Sequence, residues 1–418
     1  MSGPVPGEET PKRVLAIADS DSYLKWSAAT LGTLPPSWQP SQVVVENPVM
    51  PSAAQMQAAS TLPMQVLDRA GIVRRLQAEK PDVVLLACTG PVVAALTATR
   101  ELRGRDRPVI VTGLPGISVP ATPRAVELRR SCDLFVVHSH REIAEFGAIG
   151  AELAPHLIFG LASLPFLRAP APAAVELPRT DLVFAAQAKV PMSREHREQI
   201  LLALADAGSA VVKVRAEKDE QQTHREDWPY PQVAADLVAA GRMQPGKLRY
   251  RGGSMQEALR TARALATVSS TAALEAMAAR IPVLIISEFG VSEDMINLVF
   301  AGSGCLGDLS DLVSGRWRQA EPAWLAANYF HPQQDNDWLD QLEALVLRRA
   351  CGPLPARPRV SGFPLRRVRR RIRLWLPPGW VRRLRSVERR MRYLADVGRP
   401  RQDHRVPVRR HGPPETPG

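Results

Sequence analysis

The strongest constraint on the fold is a repeated alternation of short apolar runs with longer stretches compatible with helices. Between residues 12 and 168 the runs are RVLAIAD, QVVVENPV, DVVLLACTG, PVIVTGLPG, DLFVVHS and HLIFG. Between residues 181 and 350 they are DLVFAAQ, AVVKVRA, KLRYRGG, ALATVSS and PVLIIS. Short runs rich in Val, Ile and Leu are typical of parallel strands buried on both faces, and the intervening stretches are long enough for crossover helices. The sequence therefore predicts an α/β fold with two doubly wound, Rossmann-like domains, 12–168 and 181–350, that face a cleft.

The remaining segments differ in composition. Residues 169–180, APAPAAVELPRT, are rich in proline and alanine and predict a linker. Residues 351–397 predict a basic tail of two amphipathic helices hinged at a Pro-Pro-Gly sequence, and we expect disorder over 398–418. Within each predicted helix the apolar residues recur at spacings of three and four: Leu365, Val368, Ile372 and Trp375 before the hinge, and Val381, Leu384, Val387, Met391 and Leu394 after it.

The net charge of +12 lies almost wholly in this tail. Residues 361–418 contain 17 arginines and four acidic residues, so they contribute +13 and leave −1 for the first 360 residues. A nearly neutral body lacks the basic face of a nucleic-acid-binding domain, so nucleic acid is not an expected partner. The apolar stripe of residues 365–394 favours contact with an anionic membrane surface. Binding of RNA or DNA by the arginines is the alternative for the tail.

The chain shows neither a secretory leader nor a metal-binding sequence motif. The N-terminal sequence MSGPVPGEETPKR is polar, and no apolar run approaches the ~18 residues of a membrane span. The four cysteines are scattered, without a CxxC pair. We therefore expect a cytoplasmic protein, peripherally associated with the inner face of the plasma membrane, that uses no metal and no cofactor.

Three consecutive hydroxyl residues, Ser269, Ser270 and Thr271, stand between an apolar strand and an alanine-rich helix. The start of a helix attracts anions, and hydroxyl groups there add hydrogen bonds to a phosphate. Simple capping is the alternative, although one Ser or Thr suffices for a cap. Glu275 lies one position beyond a capping-box partner, so it could accept hydrogen bonds from ribose hydroxyls or simply favour the helix dipole.

This hydroxyl segment, followed by Glu-Ala and a Pro-Val strand, resembles the nucleotide-binding segment of GT-B glycosyltransferases. It is most similar to bacterial sialyltransferases, polysialyltransferases and Kdo-transferases, and the whole chain resembles a family of uncharacterised bacterial glycosyltransferases. The resemblance covers roughly residues 12–350. It implies that Ser269, Ser270 and Thr271 hold the phosphate of a nucleotide-activated sugar, and that the reaction is inverting and metal-independent.

Further donor-site candidates follow two predicted strands. Lys213 matches the lysine of a Lys-x-His-Pro signature in the relatives, but Arg215 and Ala216 stand where His-Pro is expected. Lys213, Arg215 and His224, with Glu220 nearby, could surround an anionic donor; a solvated charged loop is the alternative. Gln187, in a loop that also contains Lys189, either points into the cleft or belongs to a plain connection.

In the first domain, Asp19 and Asp21 follow the first strand, where GT-B enzymes often place the base that deprotonates the acceptor hydroxyl. We predict Asp21 as this base, with Asp19 as the second catalytic candidate. The alternative is an aspartate that caps the following helix, and Asp19 is the more cap-like of the two. The turn TGLPGIS, 112–118, predicts an acceptor-side wall. His138 and His140 end a strand, where histidines more often serve structure than catalysis.

These features predict a glycosyltransferase that moves a sugar from a CMP- or UDP-linked donor to an envelope, lipid-linked or polysaccharide acceptor. Two alternatives use the same fold. One is a catalytically inactive nucleotide- or sugar-binding protein tethered to the membrane, and the other is a nucleotide-sugar epimerase.

Overall fold

The computed structural model describes residues 11–48, 50–167, 178–208, 210–214 and 226–357. Both sheets described below belong to one compact unit. The first sheet has seven strands in the order β3-β2-β1-β4-β5-β6-β7, and every neighbouring pair is parallel. Its strands are β1 (Arg13–Ala18), β2 (Gln39–Val45), β3 (Met64–Leu67), β4 (Val83–Ala87), β5 (Val109–Gly113), β6 (Leu134–Val137) and β7 (Ile158–Leu161).

Helices cover both faces of this sheet, because parallel strands require crossover connections. They are α1 (Asp21–Leu31), α2 (Ala53–Ala59), α3 (Arg69–Glu79), α4 (Gly90–Leu96), α5 (Pro123–Arg129) and α6 (His140–Leu153). Side chains of Ser52, Asp68, Thr122 and Ser139 cap four of them by accepting a bond from a backbone N–H in the first turn. Separate apolar clusters on the two faces give the sheet a core on each side.

The second sheet has six parallel strands in the order β10-β9-β8-β11-β12-β13. The strands are β8 (Asp181–Ala185), β9 (Ala210–Lys213), β10 (Leu248–Arg251), β11 (Ala262–Thr267), β12 (Val283–Ile286) and β13 (Leu306–Gly307). The helices that follow in chain order are α7 (Arg194–Asp206), α8 (Tyr230–Ala239), α9 (Met255–Leu259), α10 (Ala272–Ala278), α11 (Leu309–Ser314), α12 (Pro322–Ala327) and α13 (Trp338–Cys351). The predicted fold class of two doubly wound α/β sheets is confirmed.

The pattern of apolar runs did not predict two of the strands, β3 and β13, and each omission has a physical reason. Strand β3 lies at the edge of the first sheet, where its residues are half-buried or exposed, so it lacks a continuous apolar run. Strand β13 has only two residues, at the edge of the second sheet. A strand exposed at an edge needs fewer apolar residues, and two residues are too few to form a period.

Helix α13 follows the second sheet in the chain but packs on the first. It contacts β5, β6 and β7, and its Leu342 and Leu345 belong to a core cluster of the first sheet. The prediction placed 338–350 in the second domain. The apolar face of α13 instead covers the face of the first sheet that also carries Trp26.

Some predictions fall outside the described residues. These are the tail from residue 358 onward, the proposed disorder over 398–418, and the linker apart from 178–180. Within the described ranges, no helix combines the length and apolar character needed to cross a membrane.

Candidate functional site

The hydroxyl segment lies at the carboxyl edge of the second sheet, between β11 and α10. Ser269 Oγ donates a hydrogen bond to the carbonyl of Ile296, and Ser270 Oγ accepts one from the Ala272 amide at 3.2 Å. Thr271 occupies the cap position of α10, and its side chain makes no capping bond within the described chain. Ser269 and Ser270 therefore shape the turn, and Thr271 presents a hydroxyl group that capping does not use.

Lys213 and Glu275 line the same cleft as Ser270 and Thr271 of this segment. Lys213 ends β9, is 6% exposed, and donates from Nζ to the carbonyl of Val214 at 2.9 Å. Glu275 is half-buried on α10. Burial raises the pKa of the Glu275 carboxyl to about 7, against the opposing effect of the Lys213 positive charge. A partly desolvated carboxyl and a buried ammonium group therefore act on each other electrostatically beside the hydroxyl groups.

These residues line one side of a cleft of about 1040 Å³ between the two sheet-bearing halves. The opposite side is formed by α1, including Lys25, and by residues 57–62, which comprise the end of α2 and the start of its connection to β3. The second half contributes Lys213, Gly253, Ser254, Met255, Gln256, Ser270, Thr271, Ala272 and Glu275. The cleft has the size of a site for a small molecule, and its polar groups converge from several elements.

The turn after β5 also reaches the hydroxyl segment. A Cβ placed on Gly116 would lie 3.6 Å from Thr271 Cγ2, so the TGLPGIS turn sits directly against Thr271. The carboxyl edges of the first and second sheets thus meet at this point. This is the edge where open α/β sheets bind ligands.

Gln187 joins the loop after β8 to the hydroxyl segment. Its Nε2 donates to the carbonyl of Ser269 at 3.2 Å, while its Oε1 is buried and has no partner among the described residues. Lys189, in the same loop, is exposed. The Gln187 side chain therefore supports the hydroxyl segment by bonding to the backbone carbonyl of Ser269.

Asp19 and Asp21 occupy different environments. Asp19 is buried; its Oδ2 accepts from the amide of Thr89 at 2.8 Å and from the Thr89 hydroxyl at 2.6 Å. It therefore ties β1 to the start of α4 and does not cap the helix after β1, so the capping alternative is wrong; its catalytic role stays a prediction. Desolvation raises the pKa of the Asp19 carboxyl, and the bonds from Thr89 oppose this. Asp21 begins α1 and forms an ion pair with Lys25 at 2.8 Å, and Lys25 lines the cleft.

His138 is held on both ring nitrogens. Its Nδ1 lies 2.7 Å from the Ala162 carbonyl, and its Nε2 lies 2.9 Å from Nε1 of Trp26, which donates. Burial lowers the pKa of His138 to about 4, so the ring is neutral near pH 7. His140 forms an exposed pair with Asp335 at 2.9 Å. The structure gives both histidines structural partners.

Two residues that the sequence analysis missed, Glu142 and Arg197, organise the surroundings of the site. Glu142 is buried and accepts a hydrogen bond from the Tyr329 hydroxyl at 2.7 Å. Arg197, on α7, is buried beneath the loop that contains Gln187. Both lie inside helical stretches with ordinary polar composition, so only their burial distinguishes them. Arg215, Glu220 and His224 lie outside the described residues, and their predicted contact with the donor stays a prediction.

Two doubly wound parallel sheets that meet at their carboxyl edges around a cleft define a GT-B-like protein. The chain belongs to the family described as "Putative glycosyltransferase (DUF6716)", whose model matches residues 14–345. The predicted resemblance of the whole chain to a family of uncharacterised glycosyltransferases is thereby confirmed.

Several solved structures are similar to this chain. The S. aureus MnaA-UDP co-structure shares 11% identity at a TM-score of 0.49, over 84% of this chain and 100% of that one. The lipopolysaccharide outer core galactosyltransferase WaaB in its apo form shares 14% identity at a TM-score of 0.45, over 81% and 99%. The UDP-GlcNAc 2-epimerase from Neisseria meningitidis bound to UDP-GlcNAc shares 8% identity at a TM-score of 0.46, over 81% and 99%. A search of curated proteins finds no match.

Proposed function

We propose that the protein is a glycosyltransferase that takes a sugar from a nucleotide-activated donor bound in the cleft. The observation that supports this is the convergence of Lys213, Thr271 and Glu275 on one cleft at the carboxyl edge of the second sheet. The group combines a positive charge, a hydroxyl and a partly buried carboxyl, which are the partners that a phosphate and a ribose require. Membership of the glycosyltransferase family supports the same reaction class.

In this proposal the second half binds the donor. The Lys213 ammonium offsets the negative charge that develops on the departing phosphate, and Ser270 and Thr271 supply hydroxyl groups beside it. Glu275 accepts hydrogen bonds from ribose hydroxyls. Because the leaving-group charge is met by an ammonium group and hydroxyls, we propose a reaction without metal or cofactor.

The acceptor enters from the first half. Asp21 lies at the start of α1, one helical turn from the cleft-lining Lys25. We propose that its carboxylate removes the proton from the acceptor hydroxyl as that oxygen attacks the sugar carbon. Attack from the side opposite the leaving phosphate inverts the configuration at that carbon.

The acceptor class and the location are proposed from the sequence of the tail. Arginines flanking an apolar stripe over 365–394 suit an anionic lipid surface, where each basic residue contributes ~1 kcal/mol. An enzyme held there would act on a lipid-linked or envelope acceptor at the inner membrane face.

Calorimetry of the full chain with CMP, UDP, GDP and ADP tests the donor site. We expect micromolar affinity for one nucleotide, at least tenfold weaker in Lys213→Met, because the charge facing the phosphate is lost. Ser270→Ala and Glu275→Gln should also weaken binding. Lys247→Met, which removes an exposed lysine outside the cleft, should bind like the wild type.

Two outcomes would redirect the proposal. If none of the four nucleotides binds, the donor site is refuted. If the bound nucleotide-sugar is converted at its sugar carbon without any acceptor, the reaction is epimerisation. Binding with no turnover in the presence of candidate acceptors would instead indicate a nucleotide-binding protein.

A further inference from the structure

Arg197 is one of the largest fully buried side chains, and its whole guanidinium group is engaged. It lies in the second turn of α7, 1% exposed, and its plane lies over the Tyr230 ring with Cζ 4.7 Å from the centroid. It pairs with the Glu226 carboxylate through Nη1. The remaining bonds go to four backbone carbonyls: Pro191 at 2.8 Å, Trp228 at 2.6 Å, Ala188 at 2.9 Å and Gln187 at 3.2 Å.

These partners belong to two separate loops at the carboxyl edge of the second sheet. Residues 187–191 follow β8, and residues 226–228 precede α8. The first loop directs three backbone carbonyls at Arg197, and the second directs the Trp228 carbonyl and the Glu226 carboxylate. Such acceptors are costly to bury without a donor. Arg197 supplies the donors for both loops at once, so it fixes each loop relative to the other and to α7.

The first of these loops leads directly to the hydroxyl segment. Arg197 holds the carbonyl of Gln187, and the side chain of Gln187 donates to the carbonyl of Ser269 at 3.2 Å. Gln187 is therefore the single residue that links Arg197 to the segment that contains Ser270 and Thr271. A change in the loop after β8 would move Gln187 away from Ser269 and release the backbone of the segment.

A purely stabilising role explains this arrangement poorly. Burying an ion pair gives little net stability, because desolvation of both charges offsets their attraction. Apolar packing between α7 and the sheet would stabilise the fold at lower cost. What a guanidinium group adds is a planar set of five donors with fixed directions, which suits the orientation of several carbonyl groups.

We propose that Arg197 is a positioning residue of the donor site, which sets Gln187 against the Ser269 carbonyl and so orients the hydroxyl segment toward a nucleotide phosphate. This inference rests on the proposed function. Arg197 itself does not contact the ligand; it acts through the loop after β8.

The test compares two buried arginines changed to lysine in the full chain. Arg197→Lys keeps the charge but has three donors on one nitrogen, so it cannot reach carbonyls of both loops. Arg107→Lys is the matched control: Arg107 is also 1% exposed and binds Asp133 at 2.5 and 2.8 Å, and neither residue lines the cleft. Thermal melting measures the loss of stability in each variant, and calorimetry measures the affinity for the nucleotide that the wild type binds.

We expect both variants to melt at lower temperature, while only Arg197→Lys loses nucleotide affinity, by tenfold or more. Equal affinity of Arg197→Lys and wild type would overturn the proposal and leave Arg197 a stabilising residue. If Arg197→Lys does not fold, Glu226→Gln replaces it. This milder variant keeps the arginine and should weaken binding about threefold, and wild-type affinity in it would count against the proposal.

Hydrogen exchange separates this inference from the donor site itself. In Arg197→Lys the backbone amides of 187–190 and 226–228 should exchange faster, while those of β11 stay protected. If the wild type binds no nucleotide, the proposed function fails. Hydrogen exchange in the two loops still tests whether Arg197 positions them. Unchanged exchange in both loops would refute it.

Discussion

The buried carboxyl group of Glu142 accepts hydrogen bonds from both halves of the protein. Its Oε1 accepts from the Ser118 amide at 2.9 Å and from the Tyr329 hydroxyl at 2.7 Å, and Oε2 accepts from the His138 amide at 2.7 Å. Ser118 and His138 belong to the first half, and Tyr329 follows α12 of the second. Burial raises the pKa of Glu142 to about 7, although the three donors oppose the shift.

Because this pKa is raised, the stability contributed by Glu142 decreases as the pH rises. The ordinary pKa of 4.5 applies to the unfolded chain, so between about pH 4.5 and about pH 7 the folded state binds the proton more tightly. The contribution of Glu142 is therefore fully present below pH 4.5 and is lost as the pH rises through 7. Denaturation by urea at pH 5 and pH 7.5 should show a larger loss of unfolding free energy for the wild type than for Glu142→Gln.

The control is a glutamate at the exposed end of the same helix. Glu152→Gln should keep the wild-type difference between the two pH values, because Glu152 is solvent-exposed. Some pH dependence should survive in Glu142→Gln, since burial also raises the pKa of Glu275 to about 7. A Glu142→Gln variant with the full wild-type difference would show that Glu142 is ionised in the folded protein well below pH 7.

At the scale of elements, the packing of β5 against α1 depends on the absence of a side chain at Gly113. A Cβ there would lie 2.3 Å from Cζ2 and 2.4 Å from Cη2 of Trp26. The indole cannot turn away freely, because its Nε1 donates to His138 Nε2 at 2.9 Å inside the core. The close approach of helix and strand therefore requires glycine at this position.

Gly113→Ala should destabilise the protein by about 1–3 kcal/mol, because the added methyl group overpacks a rigid contact. Gly116→Ala tests the same strand end: its Cβ would make an ordinary contact of 3.6 Å with Thr271 Cγ2. We expect Gly116→Ala to change the unfolding free energy by less than about 0.5 kcal/mol. Urea denaturation measures the unfolding free energy of both variants. Equal losses of unfolding free energy would mean that the Trp26 indole shifts to make room for the added methyl group.

At the scale of the whole molecule, the chain returns to its first half after completing the second. The core of the first sheet includes Trp338, Leu342 and Leu345 of α13, and Leu354 beyond it. Arg349 then donates to the carbonyls of Arg107 and Asp106, at 3.0 and 3.1 Å. The first sheet is therefore complete only when the end of the second half has docked on it.

Leu342→Ala should cost about 2–5 kcal/mol of unfolding free energy, because Leu342 is 1% exposed in the core of the first sheet. Hydrogen exchange should accelerate in β5, β6 and β7 more than in the second sheet. Leu347→Ala, on the same helix but 67% exposed, should have little effect. Faster exchange confined to the second sheet would contradict the docking of α13 on the first.

The candidate site was only partly predictable. Strand, turn and helix around Ser269 could be predicted because the pattern is local, and so could the placement of Lys213 at a strand end. The sequence does not reveal that Ser269 bonds to the carbonyl of Ile296, because that contact joins two different strand–helix connections. Arg197 was missed for the same reason, since four of its five hydrogen-bond partners are backbone carbonyls, which residue type does not indicate.

The sequence by itself determined the class of the fold. Strands buried on both faces must be apolar throughout, so most of the strands appear in the sequence as short apolar runs. The alternation of these runs with helices imposes parallel sheets. The tertiary structure alone decided which sheet α13 covers, which strand ends meet at Thr271, and which charges come to lie side by side at Lys213 and Glu275. These choices depend on free-energy differences between long-range packings, and a local period in the sequence does not record them.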